Sequence, residues 1–180
     1  MYLLIYLCRM AHLYHRPSMF LSQGIWMDTF LKNMTTKISE IEVTYRPAIG
    51  RKPVIESSLD AFEELKTFYN ESTIGLRESF YVMYLNQRNR VLGVYPHSDG
   101  GITGTVCDPR IILSVALKVA AVGIILSHNH PSGNLSPSKA DKDLTQKLKE
   151  GGKLLEIKVL DHIILSSEGG YYSFADEGIL

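Results

Sequence analysis

The chain has 180 residues, 45% of them hydrophobic and 21% charged, which suits one soluble domain with a sizeable core and argues against disorder. Lys+Arg and Asp+Glu both number 19, so the formal charge is zero and the basic excess of a dedicated nucleic-acid binder is missing. Two isolated cysteines, Cys8 and Cys107, show no pairing pattern and fit a reducing cytoplasm better than a secreted scaffold.

The opening MYLLIYLCRMAHLYHRPSMF contains an apolar run far shorter than the ~20 residues a membrane span needs. It also lacks the basic start and small-residue cleavage site of a signal peptide. His12 and His15 have no carboxylate or cysteine partner, and Trp26 reads as an ordinary apolar residue. Residues 1 to 33 are expected to be a poorly ordered leader, translated from upstream of a natural start at Met27 or Met34. Residues 34 to 54 follow as a strand, Ile41-Glu-Val-Thr-Tyr-Arg, and a connector from Pro47 to Pro53.

From Ser58, the residues Leu59, Phe62, Leu65 and Phe68 recur at helical spacing after a serine start. Strands are expected at 78 to 86 and 90 to 96, joined by the polar turn Asn86-Gln-Arg-Asn. His97 carries no special signal. The glycine-rich stretch 98 to 106 lacks the spacing and lysine of a phosphate loop and is expected to pack beside the active site as a binding edge. Asp108-Pro109 caps a second helix, to about Ala120. Val122, Ile124, Ile125 and Leu126 then read as a buried strand.

That strand leads into SHNHPSGNLSPSKAD, residues 127 to 141. His128 and His130 have the period of a strand and point to one side. Pro131, Gly133 and Asn134 break regular structure. Ser136 and Pro137 are placed at the N-cap and first position of a helix that ends at Gly151-Gly152. Ser138 and Asp141 stand three residues apart near its start, on one face, where the positive helix end favours a carboxylate. Alone, a His-x-His pair, an early-helix serine and a first-turn aspartate are ordinary. Together, two imidazoles and one carboxylate are the ligand set of a catalytic zinc with an open position, whereas a closed structural site uses four ligands rich in cysteine.

Such a centre needs a general base to hydrolyse its substrate. Glu78 opens the strand-like run Arg77-Glu-Ser-Phe-Tyr-Val-Met-Tyr-Leu and is the candidate. Glu63 and Glu71 are alternatives on or just after the preceding helix, where a solvated carboxylate is the default. Beyond Gly152, strands are expected near 155 to 159, 161 to 166 and 170 to 174. His162, in Val159-Leu-Asp-His-Ile-Ile, reads equally as a residue orienting a metal ligand or as a satisfied core histidine. The order of elements gives an α/β fold, a mixed β-sheet flanked by helices.

His128-Asn-His130-Pro-Ser-Gly, Pro137-Ser138-x-x-Asp141, Leu160-Asp-His-Ile-Ile and Tyr171-Tyr-Ser-Phe-Ala-Asp-Glu-Gly resemble the RadC family of the JAB/JAMM (MPN) metalloprotease-like superfamily, over roughly residues 55 to 180. The resemblance implies a single MPN domain of cytidine-deaminase-like architecture. It implies Zn2+ held by His128, His130 and Asp141, with Ser138 helping to hold the polarised carbonyl and its oxyanion. Glu78 then matches the early-strand glutamate that acts on the attacking water. The implied reaction is cleavage of a peptide or isopeptide amide in a peptide or protein substrate, with no membrane partner. The repair label of the RadC family also implies an alternative, a DNA-associated accessory role. Zero net charge weakens that alternative, as does the lack of a helix-hairpin-helix glycine turn in residues 1 to 55.

Overall fold

A computed structural model describes residues 44–47, 49, 50, 52–101 and 104–180. The expectations for residues 1 to 33, and for the strand at 41 to 43, lie outside the described residues. Thr44 to Arg46, the described part of that strand, adopt no regular secondary structure.

The elements in chain order are α1 (Ser58–Lys66), β1 (Ser79–Leu85), β2 (Val91–Asp99), α2 (Pro109–Lys118), β3 (Gly123–His130), α3 (Lys139–Leu154), β4 (Lys158–Ser166) and β5 (Tyr171–Ser173). They form one sheet of order β2-β1-β3-β4-β5. β1 is antiparallel to β2 and β3, β3 runs parallel to β4, and β5 is antiparallel to β4. The parallel step needs a crossover, and α3 supplies it. The mixed sheet flanked by helices is the α/β arrangement expected from the element order.

Both faces of the central strands are buried, which is why β1 and β3 read as nearly continuous apolar runs. On one face Phe80, Val82, Tyr84, Ile124 and Leu126 pack with Ile112 and Ala116 of α2 and Leu148 of α3. On the other, Met83, Leu85, Ile125, Ile163 and Leu165 pack with Phe62 and Leu65 of α1 and with Tyr69. α2 and α3 therefore lie on the opposite side of the sheet from α1.

Local chemistry corrects several boundaries. The N-cap of α1 is Ser57 rather than Ser58, because Asp60 completes a capping box with it. α2 starts as expected, with the Asp108 side chain accepting from Arg110 N and Pro109 in the first turn. α3 is capped by Ser138, not Ser136, and it runs through Gly151 and Gly152 to Leu154. Gly152 is a point of close approach rather than a stop: a Cβ there would meet the Ile157 carbonyl oxygen at 2.4 Å. The reversal comes later, at Glu156, with φ 57°. The two strands expected at 155 to 159 and 161 to 166 are accordingly one, β4. Among the described residues no helix is long and apolar enough to cross a membrane.

Candidate metal centre

β3 lies between β1 and β4, and its alternation turns Leu126, His128 and His130 toward the α2–α3 side. His128 is fully buried, and its ring stacks on Phe80 with 5.9 Å between centroids and 7° between planes. Phe80 is also the β1 residue paired with His128 across the ladder.

His128 Nε2 lies 3.0 Å from His130 Nε2 and 3.4 Å from Asp141 Oδ1, and His130 Nε2 lies 3.8 Å from Asp141 Oδ2. A tetrahedral zinc with ligands at 2.0–2.1 Å holds their atoms about 3.3 Å apart, so this spacing fits an ion of that size. His130 Nδ1 donates to the carbonyl oxygen of Asn134 at 2.5 Å, which leaves Nε2 as the acceptor of the neutral ring. Burial pushes His128 down to about 4, against the pull of Asp141, so the ring is neutral near neutral pH as a metal ligand must be. The donor set thus fits a zinc-like cation.

Asp141 is held by the start of α3. Its Oδ2 accepts from Ser138 N at 2.7 Å, while the Ser138 hydroxyl accepts from Asp141 N at 3.1 Å. This reciprocal box leaves Oδ1 turned toward His128. Ser138 and Asp141 are brought together as expected, though by capping rather than by sharing a helix face.

Glu78 sits immediately before β1. Its backbone N donates to Gly101 O at 3.0 Å, and its carbonyl accepts from Gly100 N at 2.7 Å. Burial raises the pKa of its half-buried carboxyl; His130 lowers it and Asp141 raises it further. Glu78 stands two residues before Phe80, the β1 partner of His128. Glu63 and Glu71 are exposed, on α1 and in the turn after it, away from this face. The glycine-rich stretch holds the backbone of Glu78, and Gly100 is needed there, because a Cβ would meet Gly104 O at 2.2 Å.

His162 is fully buried, and its Nε2 lies 2.9 Å from His128 Nδ1, so the histidine in the core is also a partner of a candidate ligand. His97 accepts from Asp108 N through Nε2 at 3.0 Å, in keeping with an ordinary role at the start of α2.

One buried residue beside the candidate site has no reading from the sequence: Asn129, the spacer between the histidines. It is fully buried and faces the other side of the strand. Its Oδ1 accepts from Ser79 N, and its Nδ2 donates to Ile74 O at 2.7 Å and Arg77 O at 2.9 Å. It ties β3 to the segment that carries Glu78. Its sequence setting gives no separate signal, because it stands in the polar run Ser127-His-Asn-His130 and its partners lie some fifty residues away.

Residues 55–179 match the family of the RadC-like JAB domain. The chain is 46% identical over 125 residues to a UPF0758 protein of Flavobacterium johnsoniae, covering 69% of this chain and 53% of that one. It is 36% identical over 145 residues to a UPF0758 protein of Porphyromonas gingivalis, covering 81% and 64%. A UPF0758 protein of Aquifex aeolicus is 40% identical over 141 residues, covering 78% and 59%. The matched part of the chain therefore spans less than two thirds of the length of these relatives.

Proposed function

This chain belongs to the RadC-like JAB domain family, and from that premise we propose that residues 55 to 180 form a zinc-dependent hydrolase of peptide or isopeptide amides. His128, His130 and Asp141 hold the ion. What carries this reading is the convergence of those three donors, within 4.8 Å of one another, with Glu78 two residues before Phe80, the β1 partner of His128.

A bound zinc supplies Lewis acidity, polarising the carbonyl and bringing water to a pKa of roughly 7. Glu78 accepts the proton of the attacking water as its oxygen adds to the carbonyl carbon. It then passes that proton to the departing nitrogen, so that the amine leaves neutral. The raised pKa of its carboxyl suits both steps. The Ser138 hydroxyl spends a lone pair on Asp141 N and keeps its own proton to donate to the oxyanion. One such donor is typically worth about 10²–10³ in rate. Gly100, Gly101 and Asn129 hold the segment carrying Glu78, so little reorganisation is needed during reaction.

The test uses the full chain, purified without chelators, with zinc measured by mass spectrometry and hydrolysis screened on peptide and isopeptide libraries. Glu78→Gln is expected to keep stoichiometric zinc and lose hydrolysis, and Asp141→Ala to lose both. Gently purified wild type without zinc, or undiminished hydrolysis by Glu78→Gln, overturns the proposal. Salt-dependent DNA binding with no hydrolysis supports the accessory role instead.

A further inference from the structure

The hydrogen bonds behind His128 allow one consistent placement of protons. Thr145, on α3, gives its hydroxyl proton to the carbonyl oxygen of Asp141, four residues back, at 2.6 Å. A hydroxyl has a single proton, so Thr145 Oγ1 accepts from His162 Nδ1, 2.7 Å away. The His162 ring is fully buried, and among the described residues no carboxylate lies within bonding distance of it. A second ring proton there would create an unpaired buried charge. His162 Nε2 is therefore a bare acceptor, and His128 Nδ1 is the donor across their 2.9 Å bond. That leaves a lone pair on His128 Nε2, the nitrogen turned toward His130 and Asp141.

We propose that Thr145 and His162 are positioning residues, a buried relay that locks His128 in its Nδ1–H tautomer and so presents Nε2 as a metal donor. The proposal rests on the metal site argued above, but the tautomer is a property of the metal-free protein. Thr145 has a double hold, since the same hydroxyl that sets the direction of the relay bonds the backbone of Asp141. One side chain thus registers a ligand on β3 against a ligand on α3. Without that hydroxyl, His162 is free to carry its proton on Nε2 and donate to His128. The proton of His128 then moves to its own Nε2 and blocks the donor position.

The test is long-range proton–nitrogen NMR of the imidazoles in the full chain after zinc is stripped by a chelator, together with Zn2+ affinity by competition with a chromophoric chelator. Wild type is expected to show His128 and His162 protonated at Nδ1 and bare at Nε2. Thr145→Val is expected to mix the tautomers and weaken zinc binding by about 10–100-fold, the usual effect of losing a residue that orients a ligand. Thr145→Ser keeps the hydroxyl and should stay close to wild type. His162→Gln should as well, because its amide oxygen can accept from His128 while its N–H donates to Thr145; His162→Phe should not. If Thr145→Val fails to fold, the wild-type spectrum and the Gln–Phe contrast decide the question. A wild-type His128 protonated at Nε2 overturns the relay, as does Thr145→Val matching wild type in both readouts. The tautomer without zinc binding removes the metal reading alone, and tight zinc with the opposite tautomer removes the relay alone.

Discussion

Asn129 reaches back from β3 to accept the backbone N–H of Ser79 at 2.8 Å, one residue beyond Glu78. Its two amide protons go to Ile74 O and Arg77 O, so a single side chain satisfies three backbone groups of the segment carrying the candidate base. Asn129→Leu keeps the branching at Cγ but leaves the buried Ser79 N–H without its partner. We expect a loss on the order of 2 kcal/mol in urea unfolding, with faster hydrogen exchange at 74 to 80 and zinc binding largely kept. Exchange at wild-type rates in that segment would mean that Asn129 does not hold it.

Ser138 is both the cap of α3 and the proposed oxyanion donor, and two substitutions separate those roles from simple destabilisation. Ser138→Ala removes the acceptor of Asp141 N and should lower stability by about 1 kcal/mol. It should also slow hydrolysis by about 10²–10³ if the hydroxyl donates to the oxyanion. Ser138→Thr keeps cap and proton, and both quantities should stay near wild type. A stability loss in Ser138→Ala with unchanged turnover leaves Ser138 as a cap only.

The grouping of His128, His130 and Asp141 and the order of elements are legible because both rest on local spacing: alternation in a strand, and a carboxylate three residues from a serine. Ser136-Pro137 also matches a helix start, so local pattern alone points to Ser136 although Ser138 is the cap of α3. Asp141 lies three residues after Ser138, and the reciprocal box it forms there outweighs the proline signal. The expected break in β4 falls at Leu160, where the pairing with β3 shifts register between Val159 and Asp161 and the strand continues. The Asp161 carboxylate is buried, accepting from His162 N, Ser173 Oγ and Ala175 N, and two of these donors lie more than ten residues along the chain. Asn129 and Gly152 were illegible for the same reason, since their partners are set by tertiary approach.

Gly152 gives a test in which local and tertiary effects have opposite signs. Helix propensity alone predicts that Gly152→Ala gains about 1 kcal/mol. The Ile157 carbonyl at 2.4 Å from the added Cβ is backbone and cannot swing aside, so we expect a net loss on the order of 1–3 kcal/mol. Gly151→Ala is the control. Its Cβ would meet only the end of the Leu113 side chain, at 3.1 Å, and the variant should be neutral or more stable in chemical denaturation.

Cys107 makes a prediction about alkaline pH. Burial pushes its thiol up to about 12; a weak bond to Ser98 at 3.9 Å opposes this, and the charges of Glu78 and Asp141 reinforce it. An unfolded cysteine titrates near 8.5, so at about pH 9 the native thiol keeps its proton while the unfolded one has lost it. The folded state thus holds more protons between those values. The stability contributed is fully present below about 8.5 and is lost as pH rises toward about 12. Iodoacetamide should therefore leave the Cys107 peptide unmodified in native protein at about pH 9 and alkylate it in guanidinium, as read by mass spectrometry. Cys107→Ala should flatten the decline of stability over the alkaline range. Rapid native alkylation would place this thiol in water, and with it the inner side of the segment that follows the Glu78-binding glycines.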